Sequence, residues 1–375
     1  LGLSFNNFSL KNIFNKKAYQ PLPMGDGQKM SLRLQGSQSF QVYSLSFTEP
    51  WLGGKKPISF FTSLSHSKQF LYDYASRDVT RDKSFNISTI TVGYGKRLKV
   101  PDDYFSLSNS VSFSYYDLNN YNTGLFTFGN GASRNLAFTT SLTRDSRGND
   151  PVFPEYGSNF SISAKFTLPY SLMNGTDYKA MQNEEKYKLK YTSNSGIVTQ
   201  ANENNESPVE GDYIAQVGNT SVYQKADSYQ TASLDRAKYD QERFKWLEFY
   251  KVKFSGDWYT KIYKKFVLRT RAEFGFLGAY NSDRGIVPFE RFYVGGDGLA
   301  NYSLDGREVI QLRGYPNNSL SSSNGGTVYN KYSMELRYPI TMKQSAKIYA
   351  MSFLEAGAAF DNFRLAGFVA PEIVV

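Results

Sequence analysis

Apolar and polar residues alternate along this chain in stretches of about ten, and a period of two excludes most folds at once. In 157–169, Phe160, Ile162, Ala164, Phe166 and Leu168 share one face, while Asn159, Ser161, Ser163, Lys165 and Thr167 share the other. Tyr43, Leu45 and Phe47 likewise oppose Ser44, Ser46 and Thr48. Phe266, Leu268, Ala272, Phe274 and Phe276 oppose Arg269, Arg271 and Glu273. The same pattern runs through 29–36, 57–66, 86–98, 104–116, 133–144, 247–259, 327–338 and 346–360, and helical spacing is confined to 232–247. The expected class is all-β.

Alternation alone does not separate a β-sandwich from a membrane barrel. The connections separate them better. Short ones rich in Pro and Gly are expected at 49–57, 97–103, 145–157, 260–264 and 339–346, and long ones at 67–85, 117–132, 169–246 and 278–326. After the first hairpins they take turns, as in an antiparallel up-and-down barrel with tight turns at one end and large loops at the other. No run reaches the roughly 18 apolar residues of a membrane helix. A transmembrane β-barrel escapes that test, because only every second residue meets lipid and the mean hydropathy stays low, here −0.48. The 29 Tyr and 29 Phe suit strands with one wet and one apolar side. In a barrel, Arg269, Arg271, Glu273, Glu335 and Arg337 would point into a wet interior.

The chemistry is sparse. With no cysteine, the chain has no disulfide, thiolate or Cys-based metal site. His66 is the single histidine, so no His-based metal set or triad is expected, and it reads as a strand-end residue. Residues 295–298, Gly-Gly-Asp-Gly, lack the Lys-Ser/Thr of a phosphate loop and read as a turn. The net charge of +9 is scattered within strands rather than gathered, which argues against nucleic acid. The chain offers no active site, metal or cofactor, so it reads as a non-enzyme. It opens on Leu1 without a signal peptide, as a mature or partial product would.

One long connection stands apart. Residues 289–296, FERFYVGG, precede LRGY at 312–315, followed by YSMELRYPI and AMSFLEAGAAFD. With the turn LTRDSRGNDPVFPEYGSNFSISAKF and the early segments NNFSLKN and YSLSFTEPWLGG, this succession resembles the barrel of BamA-type outer-membrane assembly factors. That superfamily also includes TamA and the FhaC-type secretion pores.

The resemblance implies a sixteen-stranded outer-membrane barrel preceded by POTRA domains, with about thirteen strands covered here. Residues 1–375 would be an incomplete barrel domain, starting at the family's second strand and fading after its thirteenth. The tail 364–375 lacks a terminal aromatic, and the strands of the lateral gate would be largely missing. The insert 169–246 would be an unusually long fifth loop, either a solvated loop or a dock for an extracellular partner.

In the family, an Arg-Gly-aromatic tip folds back inside the barrel and its arginine pairs with acidic wall residues. The matching positions are Arg313, Gly314 and Tyr315, with Glu335 and Glu355 as candidate partners. Glu355 departs from the family's usual Asp. Alternation places Glu335 on a polar face with Ser333 and Arg337. Around Glu355 the face is mixed, because Tyr349, Met351 and Phe353 share it. A planar guanidinium can grip a carboxylate with two bonds and so fix a loop. An ordinary exposed loop arginine is the alternative.

The implied function is folding and insertion of β-barrel clients into the bacterial outer membrane. The implied partners are unfolded clients, accessory lipoproteins, and outer-membrane lipids and lipopolysaccharide. A polypeptide export pore of the FhaC type is the other reading. A simple porin should lack the loop motif, and a secreted adhesin would be soluble without detergent.

Overall fold

The computed structural model describes residues 1–53, 57–73, 77–122, 126–148, 150, 152–218, 222–296, 307–343 and 345–361. Asp297, Gly298 and the tail 364–375 lie outside the described residues. The first strands are β1 (Gly2–Phe8), β2 (Gln28–Gly36), β3 (Phe40–Glu49), β4 (Ile58–Asp73), β5 (Asp78–Arg97), β6 (Phe105–Asn119), β7 (Gly131–Asp145) and β8 (Gly157–Thr167). A long insert follows, with helices α1 (Tyr170–Asn174) and α2 (Tyr178–Met181), strands β9 (Val198–Gln200), β10 (Ile214–Gln216) and β11 (Val222–Lys225), and helix α3 (Arg236–Arg243). Then come β12 (Tyr250–Tyr263), β13 (Phe266–Gly278), β14 (Phe292–Val294), β15 (Glu308–Ile310), β16 (Val328–Lys343) and β17 (Ala346–Phe360).

Twelve of these strands form one sheet in the order β1-β2-β3-β4-β5-β6-β7-β8-β12-β13-β16-β17. Each pairs antiparallel with its neighbour, so the sheet is an up-and-down meander. The described residues thus supply twelve wall strands where about thirteen were expected. The three-stranded sheet β10-β11-β9 lies in the insert, and the β14-β15 pair lies in the connection between β13 and β16.

Register sorts the side chains into two faces. Between β13 and β16, Arg269 lies opposite Glu335 and Arg271 opposite Ser333, while Leu268 opposes Leu336 and Thr270 opposes Met334. The outer face leaves Val252, Phe274, Phe276, Tyr332, Met334 and Leu336 between 37% and 49% exposed. In water such a contiguous apolar surface is a liability, whereas against lipid it is the stable arrangement. On the inner face, the described parts of the loop 279–327 bring Phe289, Phe292, Tyr293, Val294 and Leu312 against Phe85, Tyr116, Leu277 and Tyr329 of the wall.

One expected long connection is a hairpin instead. β4 and β5 stay paired up to Asp73 opposite Asp78, with an irregularity between Phe70 and Leu71, so most of 67–85 is strand. The segment is charged on both faces, as a strand tip projecting beyond the lipid is free to be, and the alternation that marks wall strands fades there. Short and long connections therefore take turns only from β7 onward, because 120–130 between β6 and β7 is as long as 146–156 between β7 and β8. The insert, by contrast, is folded. α3 is capped by Asp235, whose side chain accepts from the Lys238 amide at 3.1 Å, and Tyr178, Met181, Tyr187 and Tyr239 form a small core.

Candidate functional site

The loop 279–327 is held to the inner face at two places whose charges are reversed. Near its start, Glu290 sits in a single-turn helix over Pro288–Glu290. Its carboxylate accepts from Lys165 of β8 at 2.5 Å and from Lys251 of β12 at 3.1 Å. Glu308, at the head of β15, pairs with Lys251 at 2.6 Å and Lys253 at 2.8 Å. Here the wall supplies the cations and the loop the anions. Burial pushes Glu290 up, but the two ammonium groups outweigh it and hold the carboxyl at about 2. Glu308 is shifted downward too, its burial outweighed by Lys251 and Lys253.

Between these ion pairs the loop packs as a core. Phe289 lies 4.9 Å from the ring of Tyr116 and 4.8 Å from that of Phe126, and Phe292 lies 4.6 Å from that of Tyr329. Gly295 and Gly296 have φ of +124° and +94°, and a Cβ on Gly295 would meet the Pro316 carbonyl oxygen at 2.5 Å. The chain turns there to run beside 312–319. The Gly296 amide donates to the Tyr315 carbonyl at 3.0 Å, and the Leu312 amide to the Gly296 carbonyl at 2.9 Å. Of the turn expected at 295–298, the two described glycines have positive φ and approach 316–319 closely, and Gly296 bridges to Leu312.

At the second place the polarity inverts. Arg313 donates from Nε to Glu355 Oε1 at 3.0 Å and from Nη2 to the same oxygen at 2.5 Å, while its backbone amide donates to Glu355 Oε2 at 2.9 Å. Nη2 also donates to Glu335 Oε1 at 2.9 Å. Both candidate carboxylates therefore hold the arginine, and each has a side chain only 3% exposed. The bonds to Glu355, more than those to Glu335, raise the Arg313 pKa further, so it stays cationic. Gly314 has φ of +90° with nothing within 4 Å of a built Cβ, so it is needed for backbone conformation and not for close approach. Tyr315 packs against the interior cluster.

Three features of this site were not read from the sequence as parts of it. Glu335 also accepts from Arg269 at 3.1 Å and from Arg337 at 2.5 Å, so one carboxylate serves three guanidinium groups. Arg269 in turn pairs with Asp257 at 2.6 Å. The ring of Phe353, opposite Glu335 in the β16–β17 register, lies 3.8 Å from the Arg313 guanidinium carbon. The signal for Phe353 was its parity with Glu355. Its apolar character disguised it as an outward residue.

Chemically, the site fixes a loop. Ser333 Oγ also donates to Glu355 Oε1 at 3.2 Å, and the described residues contain no group of His, Asp and Glu able to hold a metal. His66 lies on the outer side of the wall, in register with Tyr43 and Ser88, with Nδ1 2.9 Å from Ser88 Oγ and its ring stacked on Tyr43 at 6.4 Å. It lies within β4 rather than at the expected strand end, because the β4–β5 pairing continues to Asp73.

Residues 24–364 match the Omp85 superfamily domain. Among solved structures, the crystal structure of BamA from Haemophilus ducreyi lacking POTRA domains 1–3 matches with a TM-score of 0.52 at 14% identity, covering 90% of this chain and 53% of that one. CdiB from Escherichia coli matches with a TM-score of 0.44 at 10% identity, covering 95% of this chain and 47% of that one. The chain thus spans about half the length of each. No curated protein matches it. The meander of antiparallel strands, the lipid-compatible outer face and the inward-folded loop agree with the family match, which covers nearly the whole sequence. This chain is an integral outer-membrane β-barrel protein of the Omp85 superfamily.

Proposed function

We propose that the full-length protein is the central barrel subunit of an outer-membrane protein assembly machinery, with Arg313, Gly314 and Tyr315 as the latch that sets its sixth loop against Glu335 and Glu355. The clients are unfolded β-barrel chains, and the helpers are accessory lipoproteins, with outer-membrane lipid and lipopolysaccharide as the surroundings. Insertion would proceed through a lateral seam, where an unpaired strand edge offers its backbone donors and acceptors to a client strand. No cofactor is part of this reading.

The observation that carries it is the filled interior. Phe85, Tyr116, Phe126, Phe289, Phe292, Leu312 and Tyr329 are each less than 10% exposed in one cluster that joins the loop to the wall. A pore that passes a polypeptide along the axis has to unpack this cluster, at about 1.5–3 kcal/mol for each large apolar side chain. A machine that works at the wall leaves it intact. The latch then keeps the loop in one geometry while the seam moves.

The test uses the full-length protein in liposomes, given an unfolded β-barrel client and its chaperone, with Arg313→Ala in parallel. Client folding faster than in empty liposomes, and slowed by the substitution, is the expected result. No acceleration together with strong ion conductance would overturn the proposal and favour a polypeptide export pore.

A further inference from the structure

One part of the insert between β8 and β12, around Tyr170 and Trp246, lies against the outside of the wall, while Phe244 reaches the interior cluster. Above Thr167, the place beside β7 is taken by residues 245–247: the Arg134 amide donates to the Lys245 carbonyl at 2.9 Å and the Leu247 amide to the Arg134 carbonyl at 2.8 Å. Alternation along this segment sends Leu247 and Phe249 into the interior cluster, so Trp246, Glu248 and Tyr250 face outward. Register agrees, because Tyr250 lies opposite Phe166, an outer-face residue that is 43% exposed.

The start of the insert covers these outward residues. Ser171 of α1 donates to Glu248 from its amide at 2.6 Å and from its hydroxyl at 2.5 Å. Tyr170 lies 5.3 Å from Trp246, and Trp246 lies 6.4 Å from Phe113 on the outer face of β6. Tyr280 lies 5.3 Å from Tyr250. α1 therefore sits beside the barrel at its upper rim, on the side that meets lipid. Tyr and Trp at that level are the residues of a membrane interface.

Ser171 is turned inward and 4% exposed. Met173, two residues on, lies about 200° further round the helix. Leu172 and Met173 are each 70% exposed, and below them Leu168 and Phe166 are 36% and 43% exposed. The apolar strip is continuous with the lipid-facing wall.

We propose that α1 is a membrane mooring: it dips Leu172 and Met173 into the outer leaflet, so the insert overhangs the lipid surface beside β8 and β12. The occupant of this apolar strip is lipid, argued from its continuity with the wall that lipid already covers. A moored insert holds Glu248, and through it Arg284 of the latch-bearing loop, at a fixed height above the bilayer. The proposal rests on the lipid-facing wall and is independent of the client-inserting reading.

The 375 residues contain no cysteine, so single thiols can be placed cleanly. The full-length protein, with any thiol outside these residues removed, is made as Leu172→Cys, Met173→Cys and, on the wall, Leu64→Cys. Each variant is checked for heat-modifiable migration, labelled with an environment-sensitive fluorophore, and reconstituted into phosphatidylethanolamine–phosphatidylglycerol vesicles. The expected result is blue-shifted emission at 172 and 173, quenched by lipids carrying a nitroxide near the headgroup and shielded from iodide. Emission at the aqueous wavelength, quenched by iodide and indifferent to nitroxide lipid, would overturn the proposal if the label at 64 is quenched by lipid as usual. A label at 64 that also ignores nitroxide lipid would overturn the lipid-facing wall itself, and the mooring with it.

Discussion

Glu355 holds Arg313 twice, taking the backbone amide on one carboxylate oxygen and the guanidinium on the other. The backbone bond orients the loop whatever residue stands at 313, while the guanidinium adds Glu335 to the grip. Lysine at 313 keeps the charge but not the planar fork. Arg313→Lys is expected to cost about 1.5–3 kcal/mol, the worth of hydrogen bonds to charged groups, measured as the urea unfolding midpoint in detergent. An unchanged midpoint would mean that charge alone suffices at this position.

The Phe353 ring lies 3.8 Å from the Arg313 guanidinium carbon, close enough for direct stacking. Removing it by Phe353→Ala should weaken the hold on Arg313 by about 0.5–2 kcal/mol, and Phe353→Trp should preserve it. Limited proteolysis of the 279–327 loop reads this directly. Equal cleavage rates in wild type and the alanine variant would dismiss the ring as a partner.

The Glu290 anchor has its own pH signature. Its carboxyl is held at about 2, below the ordinary 4.5, by Lys165 and Lys251 against the opposing effect of burial. A depressed carboxyl contributes stability that is complete above its ordinary value and is lost as pH falls toward the native one. Loop protection should therefore hold at pH 5 (a round value, roughly half a unit above the ordinary carboxyl) and decline between about 4.5 and 2. Glu290→Gln should be destabilised at neutral pH and show a flatter profile across that window. A wild-type profile that is flat there would rule out the ion pairs as the anchor.

Arg284 and Glu248 are a buried pair at 2.7 Å, their side chains 4% and 1% exposed, and they join the insert to the loop that carries Arg313. Glu248→Ala leaves the guanidinium unpaired and should cost about 3–5 kcal/mol, whereas an apolar replacement of both partners should recover much of it. The readout is thermal loss of the heat-modifiable folded band. If the single and double variants are equally stable, the pair does not tie the two loops together.

The wall was legible because each strand must satisfy two solvents at once, and the residues record which face meets which. The expected segments at 41–48, 157–169 and 265–276 lie within or across β3, β8 and β13 for that reason. Reading failed where the constraint lapsed. Beyond Phe70, charged Asp73, Asp78, Arg81, Asp82 and Lys83 are mixed with Leu71, Tyr72 and Val79 without alternation, so a paired hairpin looked like a loop. It wavered at Glu355 for the opposite reason: Tyr349, Met351 and Phe353 share its face, and Phe353 stacks on Arg313 while Tyr349 packs on Phe153.

The sequence by itself determined the period of the strands, the face of Glu335, and the presence of an Arg-Gly-Tyr tip in a long connection. Which groups meet was settled only by tertiary structure. Arg313 and Glu355 are separated by 42 residues, and Lys165 and Glu290 by 125. Local alternation says which way a side chain points, but not what the far end of a loop will bring to it. That pairing depends on the wall presenting a surface of patterned charge, positive along β8 and β12 and acidic at Glu335 and Glu355, against which a loop of reversed charge can settle in one register.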